Sequence, residues 1–211
     1  ELGYPVNLDF TSIFSEEGGD LSILSPHIFE DKDGFIHQPG DKSAPWIGVA
    51  PFAAHKGKIY PTEQMEKVIQ KLIHTYPHSR IFLFGGGADE TAIMNSWAEK
   101  YPQVINASAQ LHGLSEELIL MSHLHVMVSM DSANMHLASL VNTPVVSIWG
   151  ATHPYAGFMG WNQDCKNAVQ IDLPCRPCSI YGNKPCMRGD YACLNKIAPE
   201  DIVYRICGIL K

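Results

Sequence analysis

The stretch VSMDSANMHLAS, residues 128–139, decides how the rest of the chain is read. An apolar strand ends at Met130. Asp131, Ser132, Ala133 and Asn134 follow, and His136 lies in the first turn of the helix they open. Asp131 or Ser132 can cap that helix, leaving backbone N–H groups aimed outward where the helix dipole places about half a positive charge. Ser132 and His136, four apart, share one helix face. Such a helix start suits a phosphate. An ordinary cap with a half-buried histidine has the same sequence, so these residues need company before they mean a site.

The same strand-then-helix unit recurs on both sides. WIGVAPF (46–52) is a short apolar run, and TEQMEKVIQKLIHTY (62–76) carries Met65, Val68, Ile69, Leu72, Ile73 and Tyr76 at spacings of three and four, with Pro61 or Thr62 opening the helix. RIFLFG (80–85) is a second strand, GGADE a turn, and TAIMNSWAEKY (91–101) a helix stopped by Pro102. Then come a short strand at Val104 and Ile105, helix SEELILMS (115–122), strand HVMVSM (125–130), the helix after Asp131, strand PVVSIWG (144–150), strand AVQI (168–171) and helix PEDIVYRICGIL (199–210). Strands that alternate with helices and lack polar alternation are buried on both faces. The pattern predicts an α/β fold, a parallel sheet with helices on both faces. Residues 1–45 hold GG, DG and PG pairs and few periodic apolar positions, so a connector is expected there and the folded domain over 46–211.

Ligands of such sheets gather beyond the C-terminal strand ends. Four loops should therefore converge: APFAAHKGK after the first strand, GGGADE after the second, DSANMH after the fourth and GATHPY after the fifth. In the first, small residues admit a ligand to the backbone and Lys58 can neutralise a diphosphate, although no GxxxxGK[ST] phosphate loop is present. In the second, Asp89 or Glu90 can accept from ribose hydroxyls, while GxGxxG is absent, which argues against an NAD site. Leu111, Leu114 and Leu118 read as core, with one of them free to pack on a base. Cys175, Cys178, Cys186 and Cys193 are spaced C-x2-C-x7-C-x6-C, open to a structural zinc, free thiols or a disulfide.

With 211 residues, 45% of them hydrophobic, the chain can bury a proper core. A net charge of −7 argues against a nucleic-acid surface, which needs many cations to neutralise phosphates. No run of 18 apolar residues and no basic, apolar leader stands in the sequence, and its start at Glu1 suggests part of a longer protein.

In this order APFAAHKGKIYP, LFGGGADE, HGLSEELILMSHLHVMVSMDSANMHLAS, TPVVSIWGATHP and PCRPC resemble, over roughly residues 44–210, the C-terminal half of glycosyltransferase family 9, the ADP-heptose:lipopolysaccharide heptosyltransferases. The resemblance implies a GT-B architecture of two Rossmann-like domains, this chain being the nucleotide-sugar half and residues 1–45 a remnant of the acceptor half with its connector. It implies an inverting transfer that needs neither metal nor cofactor, an ADP-sugar donor, a lipopolysaccharide core acceptor, and a cytoplasmic place at the inner face of the inner membrane, touched through the acceptor. Lys58, in KIYP, would contact phosphate. Asp131, Ser132, Ala133 and His136 match the Asp-Ser/Thr-Gly-x-x-His stretch that holds diphosphate and sugar. Asp89 or Glu90 would contact ribose and Leu114 would flank adenine. Ala133 stands for the usual Gly, and Ala53 and Ala54 for frequent hydroxyl residues, which bears on the donor's identity. The family's catalytic base belongs to the N-terminal domain, so this chain is expected to bind donor without transferring sugar. The alternatives are a non-catalytic nucleotide-sugar-binding module, a related GT-B sugar-nucleotide epimerase, and a metal-stabilised interaction domain.

Overall fold

A computed structural model describes residues 9–30, 38–41 and 43–211. Six strands form one parallel sheet: β1 (Trp46–Ala50), β2 (Arg80–Leu83), β3 (Val104–Asn106), β4 (Val126–Met130), β5 (Val145–Ile148) and β6 (Ala168–Val169). Their order across the sheet is β3-β2-β1-β4-β5-β6. After β1 the chain runs outward through β2 to β3, then returns to lay β4 on the other edge of β1, with Ile47 opposite Val126. The exits of β1 and β4 therefore diverge from one line and leave a crevice between them.

Every residue of β1, β2, β4 and β5 is buried, as apolar runs without polar alternation predict for a doubly covered sheet. Successive side chains alternate between two cores. Ile47, Val49, Ile81, Leu83, Val126 and Val128 face α1 (Thr62–Thr75), α2 (Ala88–Lys100) and α6 (Pro199–Leu210). Trp46, Ala50, Phe82, Phe84 and Met127 face α3 (Leu114–Ser122) and α4 (Ala133–Leu140). In α1 the three-and-four spacing buries Met65, Val68, Ile69 and Leu72, each worth about 1.5–3 kcal/mol of apolar transfer. Ile73 and Tyr76 sit at the margin of that stripe, partly buried.

The element boundaries differ from the sequence reading in instructive places. Helix α2 starts at Ala88 instead of Thr91, because Gly87 takes φ +84° and turns the chain into the helix three residues early. Asp89 and Glu90 are thus first-turn helix residues, favourably placed against the dipole. The last strand shortens to Ala168–Val169. A four-residue helix, α5 (Ala192–Asn195), ends the cysteine-rich loop. No helix among the described residues is long and apolar enough to cross a membrane.

Residues 9–30 hold two short 3-10 helices, Leu21–Ile23 and Pro26–Ile28, and lie against the domain. Ile13 N–H donates to the Leu140 carbonyl at 2.9 Å, Gly19 N–H to Ser122 Oγ at 2.9 Å, and Phe29 stacks on Trp46 at 5.4 Å.

Candidate functional site

The loops leaving β1, β2 and β4 meet around a cavity of about 650 Å³. Phe52, Ala53, Ala54, His55 and Lys58 come from the first, Gly85, Gly86 and Glu90 from the second, and Asp131, Ser132, Ala133, Asn134 and His136 from the third. The fifth-strand loop contributes differently from expectation. Thr152 and His153 do not line the cavity; Phe158, further along, does, together with Tyr181 from the cysteine-rich loop and Glu117 from α3.

Asp131 is the centre of the polar floor. Its carboxylate is 4% exposed and takes two bonds on one oxygen: Lys58 Nζ at 2.8 Å and Thr152 Oγ1 at 2.8 Å, both to Oδ2. A buried carboxylate costs several kcal/mol unless paired, and Lys58, itself 15% exposed, supplies the pairing charge. Neither bond uses Oδ1, which keeps its capacity to accept from a hydroxyl. The lysine stem is held by the cysteine-rich loop: a Cβ on Gly182 would stand 2.7 Å from Lys58 Cγ, and Gly182 already requires φ +74°. Nothing larger than glycine leaves Lys58 in place.

Ser132 occupies the N-cap position of α4, but its side chain makes no capping bond. Ser129 Oγ donates to the Met130 carbonyl at 2.9 Å, so across the 3.1 Å contact between the two hydroxyls Ser132 is the donor. The expectation that Asp131 or Ser132 closes the helix with its side chain is therefore not met: one faces Lys58 and the other a neighbouring serine. The first-turn amides of α4 are left without a side-chain acceptor, so an anion in the cavity lies where the helix dipole favours it, beside the Lys58–Asp131 pair.

At the β2 end, Glu90 Oε2 accepts from Gly86 N–H at 2.9 Å, and Ser108 Oγ accepts from Gly85 N–H at 2.9 Å. Glu117 also lines the cavity, and burial pushes its carboxyl above the usual range. Of the residues singled out from sequence, Lys58, Glu90, Asp131, Ser132, Ala133 and His136 come together. Asp89 and Leu114 do not line the cavity; Leu114 is the first residue of α3 and 52% exposed.

The cysteine-rich loop is fastened by Arg176. Its guanidinium donates to the carbonyls of Gly150, Ile171 and Thr152 and to Gln170 Oε1, collecting the exits of β5 and β6. The Ala151 carbonyl accepts from Cys178 N–H at 3.1 Å, and Ala151 N–H donates to the Gly57 carbonyl at 2.8 Å, so this loop, the β5 exit and the β1 exit form one continuous wall. No disulfide joins Cys175, Cys178, Cys186 or Cys193 in this structure. Among the described residues no three His, Cys, Asp or Glu side chains are grouped to hold a metal ion. Backbone hydrogen bonding from Tyr191, then Arg188 and Gly189, lowers the Cys186 thiol, while burial raises that of Cys193.

A doubly wound parallel sheet with a polar cavity at its switch point defines a Rossmann-like domain with its ligand site at the usual place. Comparison with known proteins makes this specific: residues 21–186 match glycosyltransferase family 9 (heptosyltransferase), and the chain belongs to that family. Lipopolysaccharide heptosyltransferase 1 of Campylobacter coli is 27% identical over 153 residues, covering 72% of this chain and 42% of that protein. The structure of E. coli ADP-heptose LPS heptosyltransferase II has a TM-score of 0.57 at 19% identity, over 81% of this chain and 47% of that one. E. coli heptosyltransferase WaaC with ADP gives a TM-score of 0.57 at 18% identity, over 82% and 46%. At such identity the structural likeness concerns the fold. The chain spans less than half the length of these relatives.

Proposed function

We propose that this chain is the donor-binding half of an inverting glycosyltransferase that moves a heptose-type sugar from an ADP-sugar to a lipopolysaccharide core acceptor. The observation that carries the reading is the Lys58–Asp131 pair beside the uncapped start of α4, at the crevice between β1 and β4. A diphosphate seated there meets the Lys58 ammonium and a fixed row of amides. As the glycosidic bond breaks, charge builds on the leaving ADP, and these preorganised groups stabilise it with no divalent ion required. In this reading Ser132, Ala133 and His136 flank the diphosphate, Asp131 Oδ1 accepts from a sugar hydroxyl, Glu90, with Asp89 beside it, reaches the ribose, and Leu114, outside the cavity lining, flanks the base.

Inversion needs a base on the far side of the anomeric carbon to take the acceptor's proton. In this reading a carboxylate on a facing N-terminal domain does so, residues 1–45 lead to that domain, and the chain alone binds donor without transferring sugar. The acceptor, a lipid-borne oligosaccharide, sets the place of work at the inner face of the inner membrane, on its cytoplasmic side. The test is calorimetric titration with ADP, ADP-heptose and UDP-sugars, comparing the wild type with Lys58→Ala and His136→Ala. Adenine-selective binding weakened by both changes is expected, unaffected by EDTA. Equal binding of UDP-sugars, or sugar transfer by the isolated chain, overturns it.

A further inference from the structure

The cavity runs along the sheet order, and its two ends differ in chemistry. At the β2 end stand Gly85, Gly86 and Glu90; in the middle Lys58, Asp131 and Ser132; and beyond them two aromatic rings, Phe158 and Tyr181. The ring centroids are 5.9 Å apart and the planes tilted by 58°, so the rings make an angled wall. Lys58 Nζ lies 5.9 Å from the Phe158 centroid and 2.8 Å from Asp131, at the foot of that wall. Phe158 packs on the core beneath, whereas Tyr181 is 59% exposed.

Tyr181 does not hang on a loose loop. Its neighbour Gly182 donates to Ser179 Oγ at 2.9 Å and lies against the Lys58 stem, and Cys178 N–H is bonded to the β5 exit. An aromatic ring is thus clamped over a polar cavity in which it buries little of its own surface. Pyranose rings present C–H groups on one face and hydroxyls at the edge. An aromatic face, negative at its centre, suits the first, and a carboxylate oxygen such as Asp131 Oδ1 suits the second.

We propose that Tyr181, backed by Phe158, is the specificity-determining wall for the donor's sugar ring, and that the cysteine-rich loop serves to set that wall. This rests on the donor-site reading: with diphosphate in the middle and nucleoside at the Glu90 end, the sugar lies at the aromatic end. The residues come from loops without periodic pattern, and Tyr181 is separated from Asp131 by the whole of β5, β6 and the turns between them.

The experiment is calorimetric titration of the full-length protein with ADP and with ADP-heptose, for the wild type, Tyr181→Ala and Tyr181→Phe. Tyr181 is exposed and outside the core clusters, so its removal leaves the fold intact, which circular dichroism and the unfolding midpoint check. The wild type should bind ADP-heptose more tightly than ADP. Tyr181→Ala should weaken ADP-heptose by about tenfold, the effect of removing an aromatic's apolar contact, and change ADP by less than about twofold. Tyr181→Phe, which keeps the ring, should behave as the wild type. The inference is overturned if the wild type gains nothing from the sugar, if Tyr181→Ala weakens both ligands alike, or if it alters neither. Failure of the wild type to bind ADP itself overturns the donor-site reading, and this inference with it.

Discussion

Replacing Lys58 by methionine keeps the unbranched stem and removes the ammonium, leaving Asp131, 4% exposed, with Thr152 as its remaining side-chain partner. Deleting one member of a buried pair costs about 3 kcal/mol at the lower end, because the other charge stays desolvated. In a domain of this size one kcal/mol moves the thermal midpoint by about 2–4 °C, so Lys58→Met should lower it by about 6–12 °C. Asp131→Asn should cost less, since an amide oxygen still accepts from Thr152 and from Lys58, which at 15% exposed keeps some contact with water. The double variant carries no orphaned charge and should recover about 2 kcal/mol relative to the sum of the singles. Thermal unfolding of all four proteins, followed by circular dichroism, measures this coupling. If the two losses simply add, the pair is not what neutralises Asp131, and the account of the cavity floor is wrong. Nucleotide affinity separates the two roles of Lys58: the double variant regains stability but not affinity.

Two further outcomes follow from neighbouring residues. Burial raises the Glu117 carboxyl above its ordinary 4.5, so the folded state holds that proton more tightly than the unfolded chain, and stability falls as pH rises from about 4.5 to the raised value. Glu117→Gln should therefore be more stable than the wild type at pH 7 and equal to it below about pH 4; denaturant midpoints at the two pH values check this. Gly182→Ala must fit a Cβ 2.7 Å from Lys58 Cγ at a φ of +74°, so it should cost about 1–2 kcal/mol of stability and weaken ADP binding by displacing the lysine, which the same unfolding and titration assays read.

How much of this was legible in the chain depended on whether a residue belonged to a repeating pattern. The buried strands were visible as apolar runs, the stripe on α1 as a three-and-four spacing, and the convergence of loops on one rim followed from parallel strands. Glu90, Asp131 and His136 were findable because each follows a strand end or lies in the first turn of the helix after it, and Lys58 because it is a cation in the loop leaving the first strand. Phe158 and Tyr181 were not, since the path between β5 and α6 has no period and is fixed by tertiary bonds such as those of Arg176. Glu117 stands in a helix with nothing in its local sequence to set it apart from Glu116 beside it. Leu114, apolar in a helix-forming stretch, read as core, yet a helix's first residue need not face inward. Local sequence also could not show that Ser132 bonds Ser129, because that choice depends on how the β4 exit is twisted.

The placement of β1 in the middle of the sheet has a consequence for synthesis. Its partner on one side, β2, leaves the ribosome soon after it, but Ile47 pairs on the other side with Val126, about eighty positions later. At about 5–20 residues per second the free edge of Trp46–Ala50 waits roughly 4–16 seconds for β4. Through that interval a fully apolar strand offers an unpaired backbone ladder to whatever meets it. The nascent chain is therefore most exposed to misassembly, and most dependent on a chaperone's cover, between the emergence of β2 and that of β4.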